Sequence, residues 1–213
     1  KMNILFLTND KADHVDEIID LVQMYGDKVI IHHSGIDIDF VKQKKIDYIL
    51  SDRYSHIIKR DVIDYLNGNA INTHPSLLPF QRGYQPNFFS ILLNTKKGVS
   101  IHKIDEGLDT GDIIVQEELF YNDQDTLKTS HYIFRKAIVS LLCKNWYKIL
   151  NENILPIPQE RKGNINYKKD FDIFFAQLSN GCCTTVEEVK NILKNKPLIR
   201  VEPKKFPAKK SHS

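Results

Sequence analysis

The strongest constraint on the fold is a regular alternation of apolar runs and amphipathic segments over residues 1–75. Four compact runs predict strands that end in polar residues: "NILFLT", "KVIIHH", "IDYILS" and "AINTH". The segments between them predict helices, the first with an apolar stripe at Val15, Ile18, Ile19 and Val22. Strands that alternate with helices about every 20 to 25 residues indicate βαβ units and a parallel sheet with right-handed crossovers.

The rest of the chain has a different rhythm. "GVSIHKI" and "DIIVQEELF" predict two strands around the turn "DEGLDTG", and a long amphipathic helix follows, capped by Thr126 or Asp125. The proline-containing "LPIPQERKG" predicts a linker. We therefore expect an α/β, Rossmann-like catalytic domain with a mainly parallel sheet over residues 1–155. A small C-terminal hairpin/helix unit over 156–203 and a disordered basic tail over 204–213 complete the expected organisation.

Composition excludes several classes of function. Hydrophobic residues make up 41% and charged residues 27%, as in an ordinary soluble globule. The net charge of +3 is too small to indicate a nucleic-acid partner, and the basic excess gathers in the terminal "EPKKFPAKKSHS". The three cysteines include no CxxC pair, which argues against zinc and fits a reducing compartment. No run reaches the length of a signal segment or a membrane span, so we expect a cytoplasmic location.

Three polar strand ends are predicted to meet at one edge of the sheet. They are "LTND", "LSDRYSH" and "NTHPS", and parallel sheets bind their ligands at the carboxyl ends of the strands. The first turn lacks GxGxxG and any glycine-rich phosphate loop. This argues against a dinucleotide-binding enzyme and against a P-loop NTPase.

The fourth strand end and the acidic turn contain the candidate chemistry. Asn72 and His74 are two residues apart, so both side chains point to one face of the strand, which Pro75 ends. In the loop that follows, Gly83 permits close approach of a backbone to a ligand. The turn "DEGLDTGD" does not have the spacing of an EF-hand. The alternative for each segment is structural: a strand-ending turn with a hydrogen-bonded histidine, and an acidic surface loop.

"NTHPSLLPFQRG" followed by "GVSIHKIDEGLDTGDIIVQ" resembles the signature of the folate-dependent formyltransferases. The resemblance is good over about residues 45 to 120. It implies a Rossmann-like fold, N10-formyltetrahydrofolate as formyl donor, no metal, and an Asn–His–Asp triad at Asn72, His74 and Asp109. The family's pterin pocket, together with the close approach at Gly83, implies these folate-side residues: Tyr54, His56, Ile57, Gly83, Ile104 and Asp105.

The chemistry of formyl transfer suits the triad. An amine attacks the formyl carbon, and the oxyanion that forms needs preorganised donors, which the Asn72 amide and an imidazolium at His74 supply. A carboxylate at Asp109 raises the pKa of the imidazole and relays the proton that the amine loses.

The resemblance leaves the acceptor amine open among three groups. A methionyl-tRNA enzyme is expected to carry a second, nucleic-acid-binding domain and a basic face. A glycinamide ribonucleotide enzyme of purine synthesis is expected to have a phosphate nest where this chain has "LTNDKADHV". "RGYQPNFFSILL", "KNWYKIL" and "GNINYKKDF" are most similar to the nucleotide-sugar N-formyltransferases. The implied acceptor is a nucleotide-linked amino-deoxy sugar such as dTDP-4-amino-4,6-dideoxyglucose, used for O-antigen, lipopolysaccharide or other surface polysaccharide synthesis.

Alternatives remain at this stage. Phosphoribosylglycinamide formyltransferase is the second interpretation, and a formyltetrahydrofolate hydrolase or a non-catalytic folate-binding relative is a third. The nucleotide of the sugar substrate stays open among dTDP, GDP and UDP. We further expect a homodimer through the C-terminal unit, because a two-stranded unit is only marginally stable alone.

A nucleotide sugar also needs donors for its pyrophosphate and a slot for its base. The candidate substrate-binding residues are Asn9, Lys11, Arg82, Tyr167 and Lys168. Arg82 is the leading candidate, because an arginine in a rigid loop binds phosphate with two donors.

Overall fold

The computed structural model describes residues 1–9, 14–159 and 163–194. A six-stranded sheet forms the centre, in the order β2-β1-β3-β4-β6-β7. The strands are β1 (Asn3–Thr8), β2 (Lys28–His32), β3 (Tyr48–Asp52), β4 (Ala70–His74), β5 (Arg82–Gly83), β6 (Lys97–Lys103), β7 (Ile113–Leu119) and β8 (Ile165–Asn166). The helices are α1 (His14–Met24), α2 (Ile38–Gln43), α3 (Arg60–Tyr65), α4 (Pro86–Leu92), α5 (Leu127–Leu150), α6 (Lys168–Phe175) and α7 (Val186–Asn191).

The first four strands of the sheet run parallel, as the alternating sequence pattern predicts. β6 then lies antiparallel to β4, and β7 lies antiparallel to β6. The α/β, mainly parallel architecture expected from the sequence is confirmed.

Both faces of the sheet are covered, which explains the unbroken apolar run of β1 from Ile4 to Leu7. Ile4 and Phe6 pack with α1 and α5 on one face, whereas Leu5 and Leu7 pack with α2 and α3 on the other. Successive side chains of a strand point to opposite faces, so a strand buried on both sides needs an unbroken apolar run.

The longest helix, α5, begins at a capping box. The Thr126 hydroxyl accepts from the backbone N–H of Thr129, and the Thr129 hydroxyl accepts from the backbone N–H of Thr126. Thr126 is therefore the cap, and Asp125 instead accepts from the backbone N–H of Asn122. No helix within the described ranges is both long and apolar enough to cross a membrane.

The C-terminal segment is built onto the catalytic domain. Where the sequence suggested a hairpin, β8 pairs in parallel with β5, with Arg82 opposite Ile165 and Gly83 opposite Asn166. α6 and α7 share an apolar cluster with α4 and the start of α5, whose buried members are Phe88, Phe89, Ile91, Leu92, Leu127, Phe174, Val186 and Val189.

The domain boundary at residue 155 and the homodimer stay predictions. The predicted tail, 204–213, and the end of the predicted C-terminal unit from residue 195 lie outside the described residues. Light scattering on the full chain would test the dimer, and a monomer at high protein concentration would argue against it.

We expect the C-terminal segment and the sheet to unfold in one transition. Phe174 is 5% exposed in the shared cluster, so Phe174→Ala should lower the free energy of unfolding by about 3–5 kcal/mol through lost burial and a cavity. Calorimetry measures the shift.

The neighbouring Ile173→Ala is the matched control. Ile173 is 55% exposed and should change stability by no more than about 0.5 kcal/mol. Two separate transitions, with only one sensitive to Phe174→Ala, would contradict a shared core.

Candidate active site

The site lies at the carboxyl end of β4. Asn72 and His74 occupy alternate positions of this strand and line the same crevice. His74 is only 4% exposed, and Pro75 follows at the point where the strand ends. The strand therefore presents an amide and an imidazole side by side, as the two-residue spacing predicts.

The antiparallel strand β6 contributes a second imidazole. Its register places His102 directly opposite Asn72. His102 Nδ1 lies 2.7 Å from the carbonyl oxygen of Lys103, and its Nε2 lies 3.2 Å from Asn72 Nδ2. In the neutral ring with the proton on Nδ1, Nε2 accepts from the amide, whereas in the protonated ring Nε2 donates toward Asp109. His102 thereby orients the Asn72 side chain.

The turn between β6 and β7 brings Asp109 to these groups. Its Oδ2 lies 3.6 Å from His74 Nδ1, and its Oδ1 lies 3.6 Å from His102 Nε2 and 3.4 Å from Asn72 Nδ2. The backbone N–H of Gly83 donates to Oδ2 at 2.9 Å. Asp109 has a φ of +52°, a left-handed conformation that a non-glycine residue adopts at a cost. The structure thus brings Asn72, His74 and Asp109 together.

Gly83 has a steric reason to be glycine. Its φ is +84°, and a Cβ there would lie 2.6 Å from the carbonyl oxygen of Asn166. The same backbone supplies the N–H that holds Asp109. A side chain at this position would therefore disturb both the β5–β8 pairing and the carboxylate.

The contacts of His74 with Asp109 and Gln81 raise the pKa of its imidazole, whereas its burial lowers it. Nε2 donates to the carbonyl oxygen of Gln81 at 3.0 Å, and Nδ1 faces the Asp109 carboxylate, so both nitrogens point at acceptors. That arrangement favours the imidazolium. Burial nevertheless lowers the pKa of His74 below its ordinary value, against the opposing pull of Asp109 and of the Gln81 carbonyl.

The neighbours of Asp109 keep it ionised. Burial alone would raise the pKa of this carboxyl. The charge of His74, a hydrogen bond and charge from His102, and the Gly83 N–H together outweigh burial and hold the pKa well below its usual range. Asp109 is therefore a carboxylate throughout the neutral range.

Two cavities meet at Leu108, which lines both. The first has a volume of about 620 Å³ and contains the three triad side chains, with Arg53, Tyr84 and Lys168 on its walls. The second has a volume of about 540 Å³ and lies on the other side of the acidic turn. Its walls include Arg82 and Gln159. They also include the apolar side chains of Ile63 in α3 and of Ile104, which directly follows β6. Leu108 lines both cavities and is 52% exposed.

The residues expected to bind the folate do not all lie in one cavity. Ile104 and Asp105 line the second cavity, and Tyr54 and Gly83 line the first. His56 and Ile57 are exposed and line neither.

The residues expected to bind the acceptor are divided as well. Asn9, Tyr167 and Lys168 line the first cavity. Arg82 is 3% exposed, lines the second cavity and donates from Nη2 to Gln159 Oε1 at 2.8 Å, so it does not face the same space as Tyr167. Lys11 lies outside the described residues.

Sequence reasoning missed three residues of the site: His102, Arg53 and Gln159. His102 sits in a predicted strand just before the acidic turn, but only the β4–β6 register puts it opposite Asn72. Arg53 directly follows β3 with a φ of +55° and lines the first cavity. Gln159 comes from the segment taken for a linker, and no local pattern marks it.

A buried ion cluster lies beneath the first cavity. Asp52, at the end of β3, is fully buried, with its Oδ2 3.1 Å from His14 Nε2 and 3.3 Å from Arg135 Nη2. Its other oxygen accepts from the hydroxyl of Thr73, the residue between Asn72 and His74. The cluster connects α1 and α5 to the strand that carries the site. Across the described parts of the chain, no group of three His, Cys, Asp or Glu side chains is arranged to hold a metal ion.

A family model described as formyl transferase matches residues 37–145. The formyltransferase PseJ from Anoxybacillus kamchatkensis, solved with UDP-4,6-dideoxy-4-formamido-L-AltNAc and tetrahydrofolate, is 34% identical to this chain. It superposes with a TM-score of 0.82 over 88% of this chain and 97% of its own. A candidate sugar N-formyltransferase from Mycobacterium tuberculosis is 26% identical, with a TM-score of 0.73 over 82% of this chain and 79% of its own.

Curated relatives have a different acceptor. The methionyl-tRNA formyltransferase of a Wolbachia strain from Drosophila simulans is 32% identical over 76% of this chain and 53% of its own length. That of Fusobacterium nucleatum is 35% identical over 59% of this chain and 41% of its own length. The chain spans about half the length of the curated relatives it matches.

The lowered pKa of His74 predicts a dependence of stability on pH. Unfolding exposes the imidazole, whose pKa then returns to about 6.5, so the unfolded state binds more protons below that pH. This contribution to stability is fully present above about pH 6.5 and is lost as the pH falls toward the folded pKa, by up to about 1.4 kcal/mol per pH unit. Urea unfolding from about pH 5 to pH 8 measures it.

His74→Gln should flatten this part of the profile, because glutamine does not titrate and still donates to Gln81. The natural chain, unfolded in the same series of buffers, is the reference for the slope. An unchanged slope in His74→Gln would contradict the lowered pKa.

Proposed function

Because the chain belongs to the formyl transferase family, we propose that it transfers the formyl group of N10-formyltetrahydrofolate to the amino group of a nucleotide-linked amino-deoxy sugar. The observation that carries the proposal is the position of Asn72, His74 and Asp109 on the wall of the first cavity, with Asp109 next in the chain to Leu108, which lines both cavities. A reaction between two bound molecules requires one space for each and shared catalytic groups where they meet.

Asn72 and His74 are the proposed donors to the oxyanion. One amide N–H of Asn72 is engaged with His102, and the other has only a long 3.4 Å contact with Asp109. It is therefore free to turn toward negative charge that develops on the formyl oxygen. His74 supplies the second donor when it is protonated, and the growing negative charge stabilises the imidazolium against the effect of burial.

Asp109 is the proposed proton acceptor. An amine that attacks must lose a proton, and an ionised carboxylate within 3.6 Å of two imidazoles can pass that proton on through the adjacent ring or a water molecule. The low pKa of Asp109 keeps it ionised at neutral pH, so it can accept a hydrogen bond from the attacking ammonium and pass the proton on without retaining it.

The second cavity is the proposed site of the folate. Apolar walls from Ile63 and Ile104 suit a flat ring, and the carboxylates of Asp105 and Asp112 can accept its N–H groups. When bound there, the donor would supply an activated formyl carbon. PseJ, which binds tetrahydrofolate, supports this donor.

The first cavity is the proposed site of the nucleotide sugar. Tyr84 and Tyr167 offer aromatic faces for a base, and Arg53 and Lys168 offer cations for a pyrophosphate. Arg53 replaces Arg82 as the proposed phosphate-binding arginine, since Arg82 is buried against Gln159. The nucleotide sugar bound by PseJ, at 34% identity, favours UDP and a 4-amino sugar among the nucleotides that the sequence left open.

The same proposal includes the biological role, the cellular location and the oligomeric state of the enzyme. Formylated amino sugars suit O-antigen, lipopolysaccharide or other surface polysaccharides, whose nucleotide-sugar precursors we expect to be modified in the cytoplasm by a homodimeric enzyme.

An acceptor panel tests the proposal. The full chain is incubated with N10-formyltetrahydrofolate and, separately, with UDP- and dTDP-linked 4-amino sugars, glycinamide ribonucleotide and methionyl-tRNA, and each product is weighed by mass spectrometry. We expect formylation of a nucleotide sugar, fastest with UDP. Formylation of the ribonucleotide or of methionyl-tRNA alone would overturn the acceptor, and formate release without transfer would indicate a hydrolase.

Asp109→Asn is the matched inactive control, because it keeps the shape of the side chain and removes the charge. Its turnover and that of Asn72→Ala should each fall by about 10²–10³ while the proteins stay folded. A folded variant with nearly unchanged turnover would remove that residue from the mechanism.

Arg53→Gln should raise KM for the nucleotide sugar by about tenfold and leave kcat nearly unchanged, because a charged hydrogen bond to phosphate is lost. Steady-state kinetics measures both constants.

Lys96→Gln removes an exposed cation that pairs with Glu118, and it controls for net charge. If Arg82→Ala raised KM instead and Arg53→Gln did not, the original sequence-based assignment of Arg82 to the phosphate would be restored.

A further inference from the structure

The backbone of the Asp109 turn is held by one side chain from the segment after α5. Gln159 Nε2 donates to the carbonyl oxygen of Asp109 at 3.1 Å and to that of Gly111 at 2.6 Å. Gln159 Oε1 accepts from Arg82 Nη2 at 2.8 Å. Both ends of the amide are therefore used, and the side chain joins the turn to β5.

The backbone of this turn needs contacts with other parts of the chain to hold its conformation. Asp109 is in the left-handed region, where a non-glycine residue is held only by its surroundings. On the opposite side the turn packs closely against β6, since a Cβ at Gly111 would lie 1.8 Å from the carbonyl oxygen of Lys103. The Lys103 carbonyl thus restricts the backbone at Gly111, and the Gln159 amide binds the carbonyl oxygens of Asp109 and Gly111.

The contacts of the carboxylate leave little tolerance for movement. Asp109 lies 3.6 Å from each imidazole, near the limit of an ion pair, so a shift of about 1 Å would separate the groups. Consecutive residues hold Asp109 in two ways: Gly83 binds the carboxylate directly, and Arg82 holds the backbone through Gln159.

We propose that Gln159 is a positioning residue for formyl transfer, which holds the turn so that the Asp109 carboxylate stays against His74 and His102. Gln159 lies outside the residues 37–145 that the family model matches. The assignment to formyl transfer rests on the proposed function, whereas the geometry of the turn does not.

Two substitutions separate the contacts of Gln159. Gln159→Glu keeps the size and the acceptor for Arg82 but has no N–H to donate to the two carbonyls, and Gln159→Ala removes all contacts. In both, we expect kcat to fall about tenfold or more, with KM for the nucleotide sugar changed by less than about threefold. A loss in Gln159→Ala but not in Gln159→Glu would contradict the role of the two N–H donors.

Titration of the histidines by NMR reads the position of Asp109 without any turnover. If the carboxylate moves away in Gln159→Ala, which adds no charge to the turn, the imidazolium of His74 loses its partner and the pKa of His74 falls further below its ordinary value. The His74→Gln variant identifies the signal. Asn145→Asp is the control, because the Asn145 amide also donates to a backbone carbonyl, Leu141 O, but within α5 and away from both cavities.

The control should lower the melting temperature and leave the His74 titration unchanged. Unchanged kcat and an unchanged His74 titration in both Gln159 variants would overturn the inference, as would an equal effect in Asn145→Asp. If the natural chain formylates no amine, the proposed function fails, but the NMR titration still decides whether Gln159 positions Asp109.

Discussion

The site depends on the cost of burying the Asp109 carboxylate. A charge that is only 13% exposed is stable only when charged and hydrogen-bonding partners replace water. His74, His102 and the Gly83 N–H fill that role, and each comes from a different part of the chain. The antiparallel turn of the sheet at β6 and the short β5–β8 pairing are the structural means by which these partners reach one carboxylate.

The same arrangement divides the crevice. The acidic turn projects between two cavities of similar size, where Leu108 lines both and Asp109 lines the first. An exposed apolar side chain beside a buried carboxylate suits a transfer reaction, because bound substrates that cover Leu108 exclude the water that would compete with the amine. This division also explains why Arg82 and Tyr167, which the sequence suggested for one ligand, face different spaces.

Two opposing effects in the structure determine the protonation of His74. Its two acceptors favour the imidazolium, and its burial favours the neutral ring. A group held near this balance changes protonation in response to small changes in nearby charge, as acid–base catalysis requires. The buried cluster of Asp52, His14 and Arg135 fixes the neighbouring Thr73, so the strand that carries His74 has little freedom to move.

The sequence alone determined the parallel core, the strand that ends in Asn72 and His74, the acidic turn and the family resemblance. These depend on local periodicity and on motifs, because side-chain direction on a strand follows from spacing of two residues. The tertiary structure alone decided that His102 faces Asn72, that Arg82 is buried beside the second cavity, that Arg53 lines the first, and that Gln159 donates to two carbonyls of the acidic turn. Those contacts join residues 30 to 77 positions apart, and only strand register and packing bring such residues together.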